Sequence, residues 1–151
     1  MTDREFVLDA MMHFGSNTAK TIQNEADNMI GTELYDNGTF IPDFAEAIKA
    51  KNMINRSVGF VCKSSAGRVV RLLQPYDSDI YTDEPEEYSA LWGFKWSQNP
   101  KDALPFVAMA TSPYMIDDVC SENDKVYRSL VDYNVHSPSE YAAGCSEVEL
   151  D

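Results

Sequence analysis

The sequence predicts an α+β fold: N-terminal helices followed by two small, related antiparallel β modules. Three observations predict it. Apolar residues recur at helical spacing in the first fifty residues, and short β-rich runs replace that spacing from Val58 onward. The β-rich part carries a motif that occurs twice. With 44% hydrophobic residues, including 7 Phe, 8 Tyr and 2 Trp, the chain has enough apolar surface to fill a core, which excludes global disorder. The expected division is 1–57, a helical oligomerisation or docking region; 58–112, a first β unit; and 113–151, a second β unit.

The helical part begins with a capping-box pattern at Thr2 and Glu5. Phe6, Ala10 and Phe14 then recur on one face, with Val7 and Met11 beside them. Gly15 is placed to end this helix, and Ser16 or Asn17 to cap a second one. Ala19, Ile22, Ala26 and Met29 follow at spacings of three, four and three. Such a stripe either packs on its own domain or pairs with copies of itself, and the second reading makes these four the oligomerisation residues. Asp36-Asn37-Gly38 marks a turn, and Pro42-Asp43 introduces a short helix from Phe44 to about Lys51.

Strands are expected at Val58–Lys63, Arg68–Leu73, Leu91–Trp96 and Phe106–Ala110 in the first unit. The tight Ser64-Ser65-Ala66-Gly67 connection makes the first two a hairpin. Pro75 to Glu87 is an acidic, proline-punctuated surface loop. In the second unit the strands are Asp118–Ser121, Lys125–Val131 and Cys145–Leu150, with a turn at Glu122-Asn123-Asp124. The motif that recurs is Gly59-Phe-Val-Cys62 against Asp117-Asp-Val-Cys120. Val69-Val-Arg-Leu-Leu73 then matches Val126-Tyr-Arg-Ser-Leu130, and Tyr88-Ser-Ala90 matches Tyr141-Ala-Ala143. Each unit is too small to hold a core alone, so the two are expected to share one with the helices.

Net charge is −13, which repels nucleic-acid phosphates and disfavours binding to DNA or RNA. Residues 1–57 carry nine acids and five bases, 58–112 seven and five, and 113–151 nine and two, so only the last segment is strongly one-signed. No apolar run is long enough to span a bilayer, and the acidic start lacks an apolar leader region. A chain made and folded in a cytoplasm is expected.

No catalytic or metal site is predicted, and no cofactor. The three cysteines, Cys62, Cys120 and Cys145, are too few and too widely spaced for a disulfide framework or a zinc motif. The acidic loop has Asp77 and Asp79 in alternation, but lacks the glycine and terminal glutamate of a calcium loop. His13 lies among apolar helix residues. His136 and Cys145 share a unit without an oriented base or an oxyanion site beside them in sequence. Nucleophile-elbow, phosphate-loop, dinucleotide and metalloprotease patterns are all missing from the sequence.

From Ser112 to Cys145 the sequence resembles the carbohydrate-binding modules of family 5/12, the chitin-binding type, in the form common in phage tail and other virion proteins. The residues that carry the resemblance are Tyr114, Asp118, Val119, the turn Asn123-Asp124-Lys125, Val126-Tyr127-Arg128, Asn134, Ser137-Pro138, Tyr141 and Gly144. The family pattern has tryptophan where this chain has His136, and a second tryptophan where it has Cys145. Sugar stacking needs flat aromatic faces, so the candidate ligand-binding residues are Trp92, Trp96, Tyr127, His136 and Tyr141. Trp92, Phe94 and Trp96 share one face of a strand, which makes them either core or an exposed stacking strip, with core the favoured reading.

The resemblance implies a non-catalytic virion component, structural or adhesive: head or tail decoration, or a fibre-like accessory protein. Its partners would be other virion proteins and copies of itself in a cyclic homo-oligomer such as a trimer, with weak binding to a cell-surface glycan and no membrane insertion. Apart from the resemblance, the charge admits an alternative, an acidic inhibitor that occupies the basic groove of a host nucleic-acid-binding protein.

Overall fold

The computed structural model describes residues 17–150. The predicted first helix and His13 lie outside the described residues. Helix α1 covers residues 17–25 and runs into a 3-10 turn at Ala26–Asn28. Two one-and-a-half-turn helices follow, α2 at Gly31–Asp36 and α3 at Phe44–Lys49. Helices this short are held by tertiary packing rather than by propensity. Leu34 of α2 and Phe44 and Ala47 of α3 are the residues that anchor them in the core.

Six strands form two three-stranded antiparallel sheets. The first contains β1 (Val61–Lys63), β2 (Val69–Leu72) and β3 (Trp92–Lys95), in that order. The second contains β4 (Val119–Glu122), β5 (Lys125–Ser129) and β6 (Cys145–Val148), again in sequence order. The molecule is therefore α+β, with helices followed by two small antiparallel units. Five of the six strands are shorter than expected from the sequence, and β4 keeps its length but starts one residue later, at Val119. Phe106–Ala110 is not a strand: only Pro105 makes a bridge, to Ser121. Phe106 instead packs as an extended strap, stacked on Tyr114 with ring centroids 5.2 Å apart.

The duplicated motif is duplicated in three dimensions. Val61 pairs with Arg71 and Val119 with Arg128; Cys62 pairs with Val70 and Cys120 with Tyr127. An isolated bridge closes each unit, Arg56 to Tyr76 in the first and Tyr114 to Asn134 in the second. A parallel bridge feeds each first strand, Asp43 to Lys63 and Pro105 to Ser121. The same hydrogen bond leads into each third strand: Leu91 N donates to Tyr88 O, and Gly144 N to Tyr141 O.

One core joins the units. Phe44, Cys62, Val70, Leu72, Tyr76, Trp92, Phe94 and Trp96 pack in the same cluster as Met109, Tyr114 and Cys120. A smaller cluster on the other face of the first sheet holds Ile22, Ala26, Leu34 and Ile41 against Val61 and Val69. Burying a side chain of this size contributes about 1.5–3 kcal/mol. The close approach of α2 to the end of the first sheet explains Gly31: a Cβ there would lie 1.8 Å from the Trp96 carbonyl oxygen.

Polar side chains also tie the layers together. Gln23 of α1 donates to Val61 O at 2.7 Å and accepts from Val61 N at 2.9 Å, so it completes the outer edge of β1. Arg68, with only 7% of its side chain exposed, donates to Glu86 at 3.0 Å and to the Pro105 carbonyl at 2.6 Å. Glu84 accepts from Ser65 N, so the acidic loop is folded onto the β1–β2 turn by two of its carboxylates rather than standing free.

Candidate functional site

Trp92 and Trp96 belong to the interior. Trp92 is completely buried, edge-on to Phe44, and Trp96 is buried between Phe94 and Tyr114. Trp96 Nε1 donates to Ser112 O at 2.9 Å. Neither indole presents a face to a ligand, so the exposed-strip reading is corrected in favour of core: the alternation of β3 points Trp92 and Phe94 at the helices and strap that cover the sheet. Tyr127 is half-buried against the same cluster.

His136 and Tyr141 come together on the surface of the second unit. Both are exposed, and their rings meet edge to face with centroids 6.2 Å apart. The loop that carries them is held from below by Asn134, which is buried. Its amide bonds to Ser129 Oγ and the Gly144 carbonyl, and its Oδ1 accepts from His136 N. Ser137 and Glu140 close the next turn: Glu140 accepts from Ser137 N at 3.2 Å, and bonding from the Ser137 hydroxyl and then its N–H holds the Glu140 carboxyl below the usual range. Gly144 seats the tyrosine, because a Cβ there would meet the Tyr141 ring at 2.5 Å.

Tyr133 stands on the same loop and is 74% exposed, the most open large aromatic among the described residues. Its backbone is left-handed, φ 55°, and its N–H donates to Met115 Sδ. A bulky residue held in that conformation carries strain of about 1–3 kcal/mol. Tyr133 is not among the candidate residues the sequence offers, because nothing local marks it as exposed.

The stripe Ala19, Ile22, Ala26 and Met29 is largely consumed within the chain. Ile22 and Ala26 are buried against the first sheet, Met29 packs on that cluster, and Ala19 is half-buried. These residues do not form an open self-association face, because the sheet itself offers the apolar surface that the stripe needs.

The thiols are poor nucleophiles. Burial pushes Cys62 well up and Cys120 to about 12, and it raises Cys145 as well, against the hydrogen bond from Asn134. All three are free. Among the described residues there is no group of three or more side chains suited to hold a metal ion, and no helix long and apolar enough to cross a membrane. No family model, curated protein or solved structure matches the chain.

Proposed function

We propose that the protein is a non-catalytic virion component of a phage, structural or adhesive, whose second β unit offers a shallow surface for weak glycan contact. The observation that supports this reading is an asymmetry between the two copies of one unit. In the first, Tyr76, Tyr81 and Tyr88 close on one another, with centroids 5.3–5.4 Å apart, and pack into the core. In the second, the corresponding loop turns Tyr133, His136 and Tyr141 outward. Rings kept in water on a loop anchored from beneath are a surface for contact with another molecule. Flat apolar faces beside polar tips suit pyranose rings, and one or two such contacts give weak affinity that many copies on a particle would multiply.

Two measurements test this. Mass spectrometry of purified particles should find the chain at a fixed stoichiometry. Titration of multimerised protein with chitin oligosaccharides and a glycan array should show binding that Tyr133→Ala and Tyr141→Ala abolish without changing the unfolding midpoint. A chain absent from particles that binds no glycan as a multimer would not be such a component.

A further inference from the structure

A groove lined by several cationic side chains lies between α1, the loop after α3 and the edge of the first sheet. Its volume is about 1740 Å³, beyond the roughly 300–1,000 Å³ of small-molecule sites. Four of the chain's 12 Lys and Arg residues line it, Lys20, Lys51, Arg56 and Arg71, against one acid, Asp27. Arg71 is paired with Asp27. Among the described residues Lys20, Lys51 and Arg56 have no carboxylate partner, and the Arg56 guanidinium lies over the Phe60 ring, 4.2 Å from its centroid. Ile54 and Val58 line the same groove and are 39% and 50% exposed. Three unneutralised cations beside exposed apolar side chains ask for an extended segment that alternates acidic and apolar residues.

The chain itself contains such a segment, at an edge that the fold leaves open. Leu130 N donates to Gly144 O, so by alternation Ser146 and Val148 bond to β5 and the backbone of Glu147 faces away from the sheet. In the first unit the corresponding residue is Phe94, and its N–H is covered by Ser112 Oγ at 2.9 Å. Among the described residues nothing covers Glu147. Its carboxylate reaches Lys125 at 3.9 Å, but both side chains are more than half exposed, so the pair contributes little. Glu149 is exposed and Leu150 is 55% exposed.

We infer that the groove lined by Lys20, Lys51 and Arg56 receives the acidic β6 edge of a second copy, so that copies assemble head to tail. The inference rests on reading the protein as a self-assembling structural component. The two surfaces are different, so the contact is heterologous: it closes into a ring or grows into a filament according to the rotation between copies. It also moves self-association from the buried stripe of α1 to the adjacent face of that helix, where Lys20, Gln23 and Asn24 line the groove.

Sedimentation velocity tests this on the full chain, at about 0.02 M and about 0.5 M salt, where the screening length shrinks from about 20 Å to about 4 Å. The wild type should form species larger than dimers at low salt and revert to monomer at high salt. Lys51→Gln/Arg56→Gln should be monomeric, as should Glu147→Gln/Glu149→Gln, whose positions are exposed and cannot unfold the core. Mixing the two should give dimers that do not extend, since one working groove and one working edge remain. A strictly monomeric wild type overturns the inference, as does association unchanged by both variants. So does a monomer whose groove variant alters only unfolding, which would mean the groove is filled from within the same chain, or a monomer that binds polyglutamate through the groove. Chains that are monomeric yet present in particles would refute head-to-tail assembly alone, whereas chains that assemble in solution yet are absent from particles would refute the virion role alone.

Discussion

The indole of Trp96 lies flat on the ring of Tyr114, with centroids 4.2 Å apart and planes 14° from parallel. Trp96 directly follows the last strand of the first unit and Tyr114 opens the second, so this stack is the joint between the sheets. Trp96→Ala is expected to cost about 3–5 kcal/mol, because it empties a core site that both units line. Trp96→Phe keeps the stack, removes the bond to Ser112 O, and should cost about 1 kcal/mol. Urea denaturation checks both, and equal losses for the two variants would show that the stack is not the joint.

Arg68 ties the acidic loop and the Pro105 strap, which bridges to Ser121, to the first sheet by polar contacts. Its guanidinium binds Glu86 and the Pro105 carbonyl while almost fully buried. Arg68→Ala leaves the Glu86 carboxylate, 17% exposed, without its cation and should cost about 3 kcal/mol. Arg68→Ala/Glu86→Gln should cost less than Arg68→Ala alone, and a double-mutant cycle with no coupling between the two would contradict the pairing.

The β4–β5 turn holds Asn123 at φ 52° and Asp124 at φ 63°, both left-handed. A two-residue turn of this kind favours glycine at its second central position. Asp124→Gly should therefore raise stability by about 0.5–1 kcal/mol, with the gain appearing in the thermal midpoint. A lower midpoint would mean that the aspartate makes a contact worth more than its strain.

Burial raises Asp118 from its usual 3.8 to about 6; the neighbouring Asp117 and Asp132 add to this, and the Met115 N–H opposes it. The folded state thus holds the proton more tightly than the unfolded chain, so ionisation destabilises the fold. That penalty is absent below about pH 4, grows as pH rises to about 6, and is complete above it. Asp118→Asn keeps an acceptor for Met115. The variant should match the wild type near pH 4 and exceed it in urea midpoint near pH 7.5. A midpoint difference that did not change with pH would remove Asp118 as the cause.

Much of the architecture is readable from period and punctuation. The alternation Trp92, Phe94, Trp96 and the repeated Val-x-Arg strands fix which residues share a face, because successive strand residues point to opposite sides. Phe106–Ala110 misleads because an apolar run buries equally well as a strand or as a strap. Only the available sheet edge decides, and β4 offers it a single bridge, at Ser121.

The site was less legible. Lys20, Lys51, Arg56 and Arg71 lie far apart in the chain, and a count of charge by segment disperses them among acids. Their convergence exists only once α1 packs across the first sheet. Likewise Tyr88 and Tyr141 are the same residue in the same place of a repeated motif, yet one packs into the core and the other is 42% exposed.

The sequence by itself determined the fold class and the duplication, because hydrophobic period and turn chemistry are local properties of the chain. Tertiary structure decided which copy of the unit is covered and which is open. It turned the α1 stripe inward, gathered the cations into one groove and left β6 as a bare edge, because exposure depends on what distant segments pack against and no local pattern carries that information.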